Sequence, residues 1–212
     1  MPRSQQARRR ADPGYRLFLR ESFRTIRVTA SVIPSSRYLT MAMLDQVDFK
    51  EARTFVELGS GTGAITREIL RRMTADSRLF ALEINRSFVQ HLRTSCHDRR
   101  LTVLHADASD LLHQLHLHNA GTIHAVISSL GLTGMTPEQR GRIVRQVEAC
   151  LAPAGIMTQF QYLTSLAPVP DLPNLRIRPF RERRFLRTYF PSITTKRVLW
   201  NLPPAMVFTC RK

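Results

Sequence analysis

The stretch "TFVELGSGTGA", residues 54–64, constrains the fold more than any other part of the chain. A short apolar run meets glycines at alternate positions, Gly59, Gly61 and Gly63, and passes into the helical pattern "AITREILRRM". Glycine there permits a tight turn and lets the backbone approach a ligand without Cβ interference. A strand that turns through such a loop into a helix is the opening unit of a parallel βα sheet.

The same alternation continues downstream. "RLFALE" (78–83), "LTVLHA", "TIHAVISS" and "GIMTQFQYL" read as strands. Between them "NRSFVQHLRTSC", "SDLLHQLHLH" and "TPEQRGRIVRQVEACL" read as helices, with Asn85 capping the first and Thr136–Pro137 opening the last. This order predicts a doubly wound, mostly parallel α/β sheet. The tail breaks the pattern. "TTKRVLW" (194–200) and "AMVFTCR" (205–211) predict two strands joined by "NLPP", a C-terminal antiparallel hairpin that brings the sheet to seven strands.

Ahead of the first strand the chain divides by charge. Residues 1–13 read as a disordered basic arm, although an Arg-rich, acid-poor start also suits a transit peptide. Residues 14–28 predict an amphipathic helix with Phe18, Leu19, Phe23 and Ile26 on one arc and Arg16, Arg20, Arg24 and Arg27 on the next. Pro34 then breaks the chain, Ser35 or Ser36 can cap, and Tyr38–Val47 fits a second helix. The expected organisation is a basic arm, N-terminal helices over 14–49 that contact membrane and cover the site, and a cofactor-binding domain over 50–212.

Three successive strand ends carry ligand chemistry. The glycine loop, with Glu57 just before it, follows the first strand. Glu83 ends the second, 20 residues after Gly63, where an acid accepts both ribose hydroxyls. The third adds "HADAS", where Asp107 can take an adenine amino group and Ala108 can offer its N–H to the ring. The loop also matches the dinucleotide pattern through Ala64. The G-x-G-x-G spacing and the two helices before the first strand favour S-adenosylmethionine over NAD.

Composition now matters. A net charge of +16 predicts a polyanionic partner, nucleic acid or an anionic membrane surface. No apolar run approaches the roughly 20 residues of a membrane span. Three widely spaced cysteines suggest reduced thiols rather than a disulfide framework or a zinc site. His113, His116 and His118 invite a metal reading, but no carboxylate is positioned with them, so no metal is expected.

The chain resembles the bacterial phospholipid N-methyltransferases, the type that converts phosphatidylethanolamine to phosphatidylcholine, within the class I S-adenosylmethionine-dependent methyltransferase superfamily. The resemblance runs from about Leu17 to the C-terminus. It rests on "SVIPSSRYLTMAML", "ELGSGTGAIT", "ALEIN", "ISSLGL", "TQFQYLTS" and "NLPPAMVF". Gly131 stands where the family pattern has a proline.

That resemblance implies a Rossmann-like fold and N-methylation of the phosphatidylethanolamine headgroup and its mono- and dimethyl forms at the inner face of the cytoplasmic membrane. The implied cofactor residues are Glu57, Gly59, Gly61, Gly63, Glu83, Ile84, Asp107, Ala108 and Ser128. Tyr38, Tyr162 and Ser128 are candidates for proton removal, and Asp45 is a further one. Aromatic faces suit a quaternary ammonium product, which points to Tyr38, Phe160, Tyr162 and Tyr189. Ser36 and Arg37 fit the lipid phosphate or the cofactor's methionine end. Arg16, Phe18, Leu19, Arg20, Phe23, Arg24 and Arg27 are the expected membrane contact, and "RIRPFRERRFLR" (176–187) a phosphate-facing lip. The competing reading is an rRNA or tRNA methyltransferase with a basic RNA-binding surface, which explains the charge equally well. It lacks support in the order of motifs: an Asn-x-Pro-aromatic sequence after the fourth strand is missing, and "NLPP" comes two strands later.

Overall fold

The computed structural model describes residues 36–163 and 182–212. The basic arm, the expected helix over 14–28 and the first part of the 176–187 block lie outside the described residues. Among those described, seven strands form one sheet in the order β3-β2-β1-β4-β5-β7-β6. They are β1 Thr54–Leu58, β2 Arg78–Glu83, β3 Leu101–His105, β4 Ile123–Ser128, β5 Leu151–Tyr162, β6 Ser192–Val198 and β7 Ala205–Arg211. Strands β1 to β5 pair in parallel, while β7 lies antiparallel between β5 and β6.

The helices are α1 Arg37–Leu44, α2 Ala64–Arg72, α3 Arg86–Ser95, α4 Leu111–Leu117, α5 Pro137–Cys150 and α6 Glu182–Leu186. The starts of α1, α3 and α5 follow from side chains that satisfy the first free N–H groups. Ser36 Oγ accepts from Leu39 N, and Asn85 Oδ1 accepts from Ser87 N and Phe88 N. At α5 a capping box forms: Thr136 Oγ1 accepts from Gln139 N, Gln139 Oε1 accepts from Thr136 N, and Pro137 fills the first turn.

Period-2 alternation divides the sheet between two faces. On one face Phe55, Leu79, Ile127, Ile156 and Val207 pack with Ile65, Ile69 and Leu70 of α2 and with Leu39, Met43 and Leu44 of α1. The opposite face carries Val56, Phe80, Val126, Met157 and Phe208, all buried. Truncating a fully buried phenylalanine such as Phe55 or Phe80 to alanine costs about 3–5 kcal/mol. Helix α1 therefore belongs to the core: residues 36–49, expected among the N-terminal cover, are part of the methyltransferase body.

Some elements differ from the sequence expectation. Helix α1 stops at Leu44 rather than Val47, where Asp45 turns outward to meet Lys196 at 2.7 Å. Strand β5 starts at Leu151, four residues early, through an irregularity beside Ile123 in which Ala154 takes φ 61. Strand β6 spans 192–198 instead of 194–200, because Leu199–Pro204 form the turn and Leu163 N donates to the Pro204 carbonyl at 2.8 Å. Helix α6 falls inside the block expected to be a phosphate-facing lip. Arg183, Arg184 and Arg187 are not buried, but Glu182 and Leu186 are.

Candidate active site

The strand order reverses between β1 and β4, since β1 leads to β2 on one side and β4 to β5 on the other. A crevice at such a switch point is where open α/β sheets bind ligands. The glycine loop fills one wall. Gly59, Gly61 and Gly63 take φ of 78, 52 and 83, the left-handed region open to glycine. A Cβ on Gly59 would meet Leu130 Cδ2 at 3.2 Å, so the loop packs on the turn after β4. A Cβ on Gly61 would meet nothing within 4 Å; this glycine faces open space.

Glu83 closes the end of β2. It is 3% exposed; its Oε2 accepts the Gly61 N–H and its Oε1 the Asn85 N–H, each at 2.8 Å. Burial pushes this carboxyl above its ordinary range, against backbone N–H groups of Asn85, Gly61 and Ile84 that hold it down. Each oxygen keeps a spare lone pair, the provision needed for two ribose hydroxyls. Asp107 sits at the end of β3, its Oδ1 accepting the Ser109 N–H at 2.8 Å, with Ala108 buried beside it.

Glu57 lies beneath the loop, wholly buried, and accepts the Thr66 hydroxyl at 2.6 Å. Burial raises its pKa to about 7, and the Glu83 charge adds to the effect. Its Oε1, Ser60 Oγ and Ser129 Oγ are buried without a hydrogen-bond partner among the described residues. Such orphans are rare in folded proteins and mark a place for a polar ligand. They gather around the ends of β1 and β4, where Leu58 pairs with Ser128 and Ser129 N donates to the Leu58 carbonyl. A nucleoside with an amino-acid tail fits this donor and acceptor set.

The residues expected on the acceptor side fall mostly at the ends of β4 and β5 and on α1. Ser128 is buried, and its Oγ accepts the Leu130 N–H at 3.5 Å. Phe160 and Tyr162 share the α1 face of β5 with ring centroids 5.1 Å apart, edge to face. Burial pushes the Tyr162 phenol up, so it is neutral at physiological pH. Tyr38 is 59% exposed on α1, Arg37 is exposed, and Ser36 is the cap. Tyr189 does not join this group. It packs on Phe185 at 5.3 Å, and a Cβ on Gly141 of α5 would meet its hydroxyl at 3.2 Å. His113, His116 and His118 are exposed along α4 and its cap, and no group of three metal-binding side chains occurs among the described residues.

Two buried residues went unread in the sequence. Gln159 faces away from Phe160, and its amide donates to the carbonyls of Leu130 and Phe160 at 2.8 Å, tying the turn after β4 to β5. The signal was present in "QFQY", where glutamines alternate with aromatics at the strand period. Glu182 is 1% exposed beside Gln159 and Arg140, and neither of its oxygens has a hydrogen-bond partner among the described residues. Burial dominates and lifts the Glu182 carboxyl to about 8, against the nearby Gln159 amide and Arg140 charge, which hold it down.

A pH dependence follows. Between the ordinary carboxylate range and about 8, Glu182 is protonated when folded and ionised when unfolded. The native state then binds more protons, so stability falls as pH rises through that window. Glu182→Gln is expected to match wild type near pH 4 and to exceed it by a few kcal/mol near pH 9, since each tenfold difference in proton affinity between the two states is about 1.4 kcal/mol. Urea unfolding at the two pH values checks this; an equal gain at both would show that ionisation is not the cause.

A mostly parallel sheet with this loop and this buried acid beside the reversal of strand order has the architecture of the doubly wound nucleotide-cofactor enzymes. Residues 55–155 match the family model of the methyltransferase domain. The chain is 31% identical over 196 residues to the ornithine lipid N-methyltransferase of Singulisphaera acidiphila, a match covering 92% of this chain and 94% of the relative. Among solved structures, the N-methyltransferase NodS of Bradyrhizobium japonicum WM9 in complex with S-adenosylhomocysteine superposes with TM-score 0.65 at 12% identity, covering 95% of this chain and 99% of that one. The 1,6-didemethyltoxoflavin-N1-methyltransferase of Burkholderia thailandensis, also with S-adenosylhomocysteine bound, gives TM-score 0.62 at 18% identity over 100% and 98% of the two chains. The chain belongs to the S-adenosylmethionine-dependent methyltransferases, and S-adenosylmethionine is its cofactor.

Proposed function

We propose that this chain N-methylates the amine headgroup of a membrane lipid, with phosphatidylethanolamine and its mono- and dimethyl forms as acceptors on the way to phosphatidylcholine. The observation that carries the reading is the match, along nearly the whole chain, to a relative named for lipid N-methylation. The bound cofactor supplies an electrophilic methyl group on a sulfonium, so the protein's part is to align, desolvate and deprotonate. Glu83 is assigned to the ribose hydroxyls, Asp107 and the Ala108 N–H to the adenine, and Gly59, Gly61, Gly63, Glu57, Ile84 and Ser128 to the remaining wall.

Phe160 and Tyr162 are assigned to the acceptor amine, whose later products are cationic and favour an aromatic edge. The amine has a pKa near ~10 and must lose a proton before attack. Tyr38, Tyr162 and the Ser128 carbonyl are the groups assigned to receive it, directly or through water. Ser36 and Arg37 are assigned to the lipid phosphate. The enzyme is expected to work at the inner face of the cytoplasmic membrane, on an anionic surface that the charge of +16 attracts. Among the described residues no helix is long and apolar enough to cross a membrane.

The test is methyl transfer from labelled S-adenosylmethionine to vesicles that contain phosphatidylethanolamine, its monomethyl form or ornithine lipid, with products read by mass spectrometry. Successive methylation of the phosphatidylethanolamine series is expected. Transfer to ornithine lipid alone would reassign the acceptor. Transfer to ribosomal or transfer RNA alone would replace the lipid reading with the RNA one.

A further inference from the structure

The turn between β6 and β7 presents large apolar side chains to solvent. Leu199 is 64% exposed, Trp200 84% and Leu202 70%. Asn201, between them, turns the other way: it is 4% exposed, and its amide donates to the Pro203 carbonyl at 2.6 Å. The turn is thus held from inside by a polar residue while its apolar neighbours face out. Single exposed leucines are ordinary, but a contiguous group of large apolar side chains marks a contact surface.

Its place in the fold gives the group a direction. Val198 pairs with Ala205, and Ala205 with Tyr162, the last residue of β5. The turn therefore extends beyond the end of β5, at the sheet edge that also carries Ser128, the glycine loop and Glu83. Helix α1, which packs on β6 and β7, exposes Tyr38 (59%) and Met41 (39%) on its own surface. From Ser192 to Pro204 the chain has Lys196 and Arg197 and no acidic residue. Lys196 is paired with Asp45 at the end of α1 at 2.7 Å, which leaves Arg197 as the cation that this stretch offers to an anionic surface.

An indole flanked by leucines, at the tip of a hairpin that carries Arg197, has the chemistry of a membrane-interface contact. Indole sits well where one end is apolar and the other wet, and a cation near it meets anionic headgroups. A single-stranded nucleic acid asks for several stacking faces, and leucine offers none. We propose that Leu199, Trp200 and Leu202 insert at the headgroup boundary of an anionic bilayer and set the active-site mouth against the lipid surface. This rests on the lipid-acceptor reading, which it extends from the substrate to the surface that presents it.

Trp200 is the only tryptophan, so its emission reports on the turn in the unaltered chain. Vesicles of phosphatidylglycerol and phosphatidylcholine are expected to shift that emission to the blue, and brominated acyl chains to quench it. Trp200→Ser is expected to weaken sedimentation with those vesicles by roughly tenfold or more, and Trp200→Phe to restore most of the binding. Affinity for S-adenosylhomocysteine and methylation of detergent-dispersed lipid should be unchanged in both variants. Emission that ignores vesicles, or that shifts with a single-stranded RNA oligonucleotide or on concentrating the lipid-free protein, would overturn the proposal. The two readings fail separately. Quenching without any lipid methylation supports the contact surface and removes the lipid acceptor. Lipid methylation with an unquenched Trp200 removes the contact surface alone.

Discussion

Glu83→Ala is expected to lower affinity for S-adenosylhomocysteine by about 10²- to 10⁴-fold while the fold survives. The carboxylate stands at the end of β2 with both oxygens already aligned by the N–H groups of Gly61 and Asn85. A hydrogen bond to a charged group contributes about 1.5–3 kcal/mol, and two ribose hydroxyls lose theirs together. The same substitution releases the glycine loop from its 2.8 Å tether at Gly61, which adds to the loss. Calorimetry measures the affinity, and thermal unfolding of the ligand-free variant tells binding from stability. Wild-type-like affinity would remove the ribose assignment. Asp107→Ala is expected to lose less, because adenine also rests on apolar walls. A larger loss than in Glu83→Ala would reverse that order.

Gly63→Ala and Gly61→Ala are expected to fail in opposite ways, although both glycines are left-handed members of one loop. At Gly63, with φ 83, a Cβ would stand 2.5 Å from Leu92 Cδ1 and 3.1 Å from Arg67 Nη1. Leu92 is fully buried and has nowhere to move. Backbone strain of about 1–2 kcal/mol and overpacking of about 1–3 kcal/mol then add. Gly63→Ala should lose about 2–5 kcal/mol, roughly 4–20 °C in Tm for a chain of this size. At Gly61 a Cβ meets no protein atom within 4 Å, so only the strain is felt and the fold holds. The added methyl instead occupies the space where the ligand approaches the backbone, and affinity for S-adenosylhomocysteine should fall sharply. A stable Gly63→Ala, or a Gly61→Ala that binds normally, would mean that the loop is not positioned as described.

The strand ends proposed to hold the cofactor were legible in the sequence because they are built from local rules. A strand, a left-handed turn and a helix start each have a residue signature, and Glu83, Asn85, Thr136 and Pro137 sit where those signatures put them. The acceptor half was less legible. Tyr189 and Phe160 look alike as aromatics in a sequence, yet Tyr189 packs on Phe185 against α5 while Phe160 lies on the α1 face of β5. Nothing local decides that. Helix α6 was hidden by its arginines, although Phe185, Leu186, Tyr189 and Phe190 recur at helical spacing and would have shown a buried face.

By itself the sequence determined the order of strands and helices, the glycine loop, the acid at the end of β2 and the hairpin at the tail. Each is written in residues adjacent in the chain, where backbone freedom and side-chain period act directly. Only the tertiary structure decided that residues 36–49 belong to the core, that Glu182 is buried where its carboxyl rises to about 8, and that Leu199, Trp200 and Leu202 stand out beyond the end of β5. Burial, desolvation and exposure depend on what the rest of the chain brings alongside, and a side chain's own neighbours in sequence do not record it.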